Sequence, residues 1–221
     1  MLSFGLCLAG RFDGTQFQRY EPEDETLFYV ELKPVSTRFE SDALEVNGLD
    51  RERLKIEGLD PSVAMRAADQ WIRAHAQGAR PVLVAYPVAF DWAFLYWYFV
   101  QFAEDSPFGF SSCLDIRTLY QARALTPFDS SSQGSMPLWL LPHKEHTHNA
   151  ADDAVEQAEL FNNIFEWALK GGGPKAIEAA DHVVPNWMTQ MADPYPELPP
   201  PGVLGKKTWW RKGARRHKER I

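Results

Sequence analysis

Apolar and polar positions follow two different periods along this chain, and the places where the period changes divide it into elements. An apolar run over residues 2–9 opens it and ends at a polar turn around residues 11–14. A second run, residues 27–33, is stopped by Pro34. The two read as an antiparallel pair of strands with a long acidic connection over residues 21–25. Asp60 followed by Pro61 marks a helix start, with Val63, Ala67, Trp71 and Ala74 on one stripe and Gly78 as the stop. Residues 81–86 form a short, wholly apolar strand of the buried parallel kind. An aromatic helix over residues 89–104 follows, then a strand and helix near residues 112–124, then a polar loop over 126–135. The best-defined helix spans residues 150–169. Asn149 is its N-cap, with Asp152 three residues on as a variant capping box. Its stripe is Ala154, Ala158, Phe161, Phe165 and Ala168, and the glycines at 171–173 with Pro174 end it. Helices alternating with strands after an opening hairpin give an α/β fold with a mixed sheet.

Composition changes this picture mainly at the C-terminus. The chain has 221 residues, 45% of them hydrophobic and 13% aromatic, which excludes a disordered polypeptide and supplies a real core. Its net charge of -7 is unevenly spread. The last 17 residues hold eight basic residues and one acidic, so the remainder carries -14. An acidic body excludes a simple basic nucleic-acid coat and suits divalent-metal binding. Three parts are expected: a domain over 1–173, a Pro-rich extension and linker over 174–204, and a basic tail over 205–221. Cys7 and Cys113 sit in apolar stretches and read as buried free thiols of a reducing, cytoplasmic setting. Asp91 interrupts the most apolar segment, 82–102, and residues 1–9 lack a basic leader, so neither a membrane span nor a signal peptide is expected.

Three features carry chemistry. Asp91 is the only charged residue between Pro81 and Gln101, at the entry to the aromatic helix. A carboxylate there is a helix N-cap, or it is paired or metal-bound. The segment His-Thr-His-Asn-Ala-Ala-Asp-Asp-Ala, 146–154, places His148 just before a helix and Asp153 in its first turn, flanking the apolar stripe. The spacing of His143, His146 and His148 is a weaker pattern that a zinc site would share, against the reading of loop histidines.

With these residues in view, the chain resembles a known family. Residues 84–95, VAYPVAFDWAFL, look like the second motif of the DEDDh 3′–5′ exonucleases, the ribonuclease T and proofreading-subunit type. Residues 148–161, HNAADDAVEQAELF, look like their third motif, His-x4-Asp followed by a helix. Residues 111–122 and 46–50 resemble the intervening segments, so the likeness covers about residues 1–169. It implies a ribonuclease-H-like fold and phosphodiester hydrolysis with two Mg²⁺ or Mn²⁺ ions. By resemblance Asp91 and Asp153 are metal-holding carboxylates and His148 is the base that deprotonates water. The substrate expected is a single-stranded 3′ end, RNA favoured over DNA, and a homodimer is a further implication. Phe90, Trp92 and Phe94 surround the site in sequence, and Phe90 and Trp92 are candidates to stack a base, against core packing.

One motif is missing. The family's Asp-x-Glu strand, central in its sheet, should precede residues 2–9. The carboxylates at Asp13, Glu21, Glu23, Asp24 and Glu25 fall in turns and read as an exposed acidic loop. The chain therefore reads as beginning one strand late, with its two-metal site incomplete. A catalytically degenerate member that binds nucleic acid or protein is the alternative to an enzyme. The tail interleaves Trp209 and Trp210 with Lys206, Lys207 and Arg211, a composition suited to single-stranded nucleic acid, to an anionic membrane surface, or to simple solvation.

Overall fold

A computed structural model of the chain describes residues 1–143 and 147–173. The expected linker and tail, including Lys206, Lys207, Trp209, Trp210 and Arg211, lie outside the described residues, as does His146. The expected antiparallel pair is present. Strand β1, Ser3–Cys7, runs against β4, Leu27–Glu31, from Ser3 opposite Glu31 to Cys7 opposite Leu27. Between them the chain makes a hairpin that the hydrophobic pattern did not announce, β2 (Gly10–Phe12) against β3 (Phe17–Arg19). Its turn is built by Asp13, whose Oδ1 accepts from the backbone N–H of Thr15 and of Gln16, both at 2.8 Å. Those donors stabilise the anion and hold the Asp13 carboxyl down at about 2.

Helices α1 (Ser41–Asn47) and α2 (Arg51–Glu57) follow, on either side of residues 48–50, in a stretch for which the sequence pattern gives no element. Asp50 caps α2 by accepting from Glu52 N and Arg53 N. Helix α3, Pro61–Ala76, begins at the Asp60 cap as expected. Its buried face is Ala64, Met65, Ala68 and Ile72 rather than the stripe from Val63, and Val63 is exposed. The angular difference is one residue, since either line keeps a helical spacing. Strand β5, Leu83–Ala85, lies parallel to β6, Cys113–Asp115. Helix α4, Val88–Ala103, separates them, and α5, Ile116–Ala124, continues directly from β6. Cys113 is exposed and Cys7 half-buried, which corrects the expectation of two buried thiols.

Helix α6, Ala150–Leu169, has the expected bounds but more than one buried face. Ala158, Leu160, Phe161, Ile164 and Trp167 are all buried, because the helix packs on β1 and also against α5. Two apolar clusters result. One joins Phe4, Leu6, Val30 and Leu32 to α3 and α4 through Met65, Ile72, Leu95 and Phe99. The other joins α5 to α6 through Ile116, Tyr120, Leu160 and Ile164. The α/β class is thus as the sequence indicates, while the expected mixed sheet is divided: the strands pair as β1–β4, β2–β3 and β5–β6. Among the described strands, β1 and β5 each have a ladder on one side alone. Between them opens a cleft of about 1020 Å³, lined by all of β1 and all of β5.

Candidate active site

Asp91 and Asp153 both line this cleft, carried there by different helices. Asp91 is in the first turn of α4 and does not cap it. Pro87 holds the cap position, and the Val88 N–H donates to Asp115 Oδ2 at 2.9 Å. The capping explanation for Asp91 is thereby removed. Burial raises the Asp91 carboxyl to about 6, the nearby Asp153 charge adds to the rise, and an N–H of its own backbone opposes it. That electrostatic influence ties the two carboxylates together in space although 62 positions separate them in sequence.

Asp153 reaches the cleft because α6 starts unusually close to β1. A Cβ at residue 5 would collide with the Ala150 carbonyl oxygen, and only the glycine there lets the first turn of α6 settle on the strand. The turn itself is capped as the sequence suggests, Asn149 Oδ1 accepting from Ala151 N at 2.9 Å. Thr147 extends the cap: its Oγ1 accepts from Asn149 N at 3.3 Å and donates to Asp152 Oδ2 at 2.8 Å. The capping box therefore works through a hydroxyl relay.

A set of hydrogen bonds then fixes one carboxylate helix against the other. Gln157, one turn beyond Asp153, accepts the Tyr86 N–H on its Oε1 at 2.9 Å. The Tyr86 hydroxyl accepts from Gln133 N at 2.8 Å, and Gln133 Nε2 donates to the buried Glu156 at 2.9 Å. Asp115 supports α4 through Oδ2 while its Oδ1 caps α5 at Thr118 N, 2.7 Å away. None of Gln157, Tyr86, Gln133, Glu156 or Asp115 stands out as functional in the sequence. Only Asp115 carries a visible signal, an Asp at a strand end with Thr three residues later.

The remaining candidates divide. His148 lies in the exposed turn directly ahead of the α6 cap with φ of 60°, and it is not among the residues that line the cleft. Phe90 and Phe94 do line it, their rings edge to face at 5.0 Å. Trp92 does not: it packs toward the first core cluster and stacks on Tyr96 at 5.2 Å. Helical geometry separates it from Phe90, since two residues along a helix turn the side chain about 200° away. His143 faces Glu159, with Nδ1 2.5 Å from Oε1. Among the described residues no group of three or more His, Cys, Asp or Glu side chains could hold a metal ion. Asp91 and Asp153 supply two carboxylates where two divalent ions would need about twice as many. The described residues alone do not fit a two-ion site.

Fold and cleft together define an α/β protein whose open cleft takes one carboxylate from each of two helices. The chain is 34% identical over 171 residues to the 3'-5' DNA exonuclease Cap18 of Escherichia coli, a match covering 77% of this chain and 84% of that protein. The chain belongs to the family of that exonuclease. No protein-family model matches it. Among the described residues no helix is long and apolar enough to cross a membrane.

Proposed function

We propose that the chain is a hydrolase of phosphodiester bonds, a 3′–5′ exonuclease of ribonuclease-H-like fold acting on single-stranded ends. The observation that carries this reading is the meeting of Asp91 and Asp153 in one cleft, within a chain of an exonuclease family. DNA is the first substrate to test, because the relative acts on DNA, and RNA is the second. Asp91 and Asp153 would be two donors to the Mg²⁺ or Mn²⁺ that the resemblance implies. His148, in the turn just ahead of the helix start that carries Asp153, is the residue the resemblance assigns as the base that takes a proton from water. Phe90 borders the carboxylates and stacks a base of the departing end.

Among the described strands, β1 and β5 each have a ladder on one side alone, and the cleft lies between them. An extended acidic segment between them would complete both ladders and bring carboxylates to Asp91 and Asp153. The two-donor count also favours a second reading, a catalytically inactive member that binds nucleic acid. A 3′-labelled oligonucleotide with Mg²⁺ or Mn²⁺ separates the two. This chain is compared with one extended ahead of Met1 by an Asp-x-Glu strand. Stepwise shortening by the extended protein, reduced at least about 100-fold by Asp153→Ala or His148→Ala, is the expected result. Activity that survives both substitutions overturns the site, and binding without shortening in both proteins establishes the second reading.

A further inference from the structure

Beyond the two carboxylates the same cleft carries a second constellation, at Phe39 and Arg51. Phe39 is 59% exposed, whereas Arg51 is only 9% exposed. The Arg51 guanidinium lies 5.0 Å from the centre of the Phe39 ring, and its Nη2 donates to the Ser36 carbonyl oxygen. The guanidinium is thus tied to the backbone of the loop that carries the ring, and it backs one face of that ring. A lone exposed phenylalanine is ordinary. A ring fixed on a buried cation and turned toward a cleft is different, because it is flat, rigid and already ordered, so binding a planar group costs little further entropy.

The ring lines the same cleft as Asp91 and Asp153. Gly5 faces Ala150 at the start of α6, and Asn162 Nδ2 reaches the Ala9 carbonyl oxygen at 2.9 Å. Helix α6 therefore runs alongside β1 in the direction of Ala9, so Asp153 lies beside the middle of β1, with the Ser3 end beyond it. Ser3 pairs with Glu31, and Leu32 N donates to Leu2 O at 2.7 Å, so the chain leaves β4 at that same end. The loop with Phe39 follows within eight residues of Glu31. Arg38 and Arg51 add positive charge to this part of the lining. A strand with an anionic backbone and flat bases is the ligand that matches cations beside a presented ring.

We infer that Phe39, held by Arg51, is a stacking platform for a nucleobase of the single-stranded end, and so a specificity-determining residue. This rests on the proposed nuclease reading, and the test separates the two. Oligonucleotides with a normal or an abasic 3′-terminal region are compared on the full chain and on Phe39→Ala, Phe39→Leu and Phe39→Trp. Equilibrium binding is read without metal by fluorescence of 2-aminopurine placed near the 3′ end, and by anisotropy of a 5′ label. Phe39→Ala and Phe39→Leu should weaken binding of the base-bearing strand about tenfold, and Phe39→Trp should restore it. The abasic strand should bind all four proteins alike. Leucine keeps the apolar volume, so equal binding by Phe39→Leu and the parent overturns stacking in favour of simple packing. Equal losses on both strands overturn it in favour of a structural role. Because binding is scored without turnover, a protein that never shortens the strand refutes the nuclease reading while the platform stands or falls on its own comparison. Failure of the parent chain to bind either strand overturns the platform.

Discussion

The two walls of the cleft are built by different means. On one side β1 is held by a five-residue antiparallel ladder with β4 and by a helix pressed against Gly5. On the other side β5 is three residues long, pairs in parallel with β6, and is fixed by side chains: Gln157 on Tyr86, Tyr86 on Gln133, Asp115 on Val88. The first wall relies on close backbone approach, which tolerates no added atom. The second relies on single polar contacts, which can be removed one at a time. The carboxylates inherit this contrast. Asp153 is placed by the first wall through the start of α6, and Asp91 by the second through the start of α4.

The sharpest way to break the comparison is Gly5→Ala. The added methyl meets backbone of Ala150 and Ala151 rather than the end of a flexible side chain, so the helix must move. A loss of about 3 kcal/mol or more is expected, the upper end for overpacking. Urea denaturation checks the stability. A loss under about 1 kcal/mol would mean that the start of α6 is not seated on β1. On the second wall Asp115→Ala removes acceptors from two helix starts at once, at Val88 N and Thr118 N. At about 1 kcal/mol per cap the expected loss is about 2 kcal/mol, and Asp115→Asn should recover part of it. Equal stability of the alanine variant and the parent would show that side-chain caps do not hold this wall.

The contrast also explains what could be read from the sequence. The Asp60 and Asn149 caps, with the apolar runs, gave α3, α6, β1, β4 and β5, because each signal is local and repeats at a fixed period. The β2–β3 hairpin escaped because its strands are three residues long and its turn depends on Asp13 rather than on a paired Asn-Gly or Asp-Gly signal. Of the site, Asp91 and Asp153 were legible as charges in apolar or capping contexts. Gln157, Tyr86 and Gln133 were not, since their role is set by partners 71 and 47 positions away in the chain. Phe39 was hidden for a similar reason. Its loop and the short α1 that follows carry no strong period, and the backing cation lies 12 residues on.

The smallest effect concerns charge rather than packing, and it tests whether the two walls bring their carboxylates together. The Asp91 carboxyl stands raised at about 6 in the folded protein, first by burial and further by Asp153, from an ordinary value of 3.8. The folded protein therefore binds more protons at this position than the unfolded chain between those two values. Stability from this group is highest below about 4, falls as pH rises through about 6, and stays low above. Two units correspond to about 3 kcal/mol in the limit, and partial access of water reduces the effect to on the order of 1–2 kcal/mol. Asp91→Asn removes the charge at nearly constant shape, so it should be more stable than the parent at pH 8 by that amount. The difference should shrink through pH 6 and vanish near pH 4, as read by urea denaturation across the range without divalent ions. Asp153→Asn should act in the same direction but more weakly, since it removes only the lesser cause. A gain for Asp91→Asn that is constant with pH, or a parent that grows relatively more stable above pH 6, would mean that the second wall leaves Asp91 in water and away from Asp153.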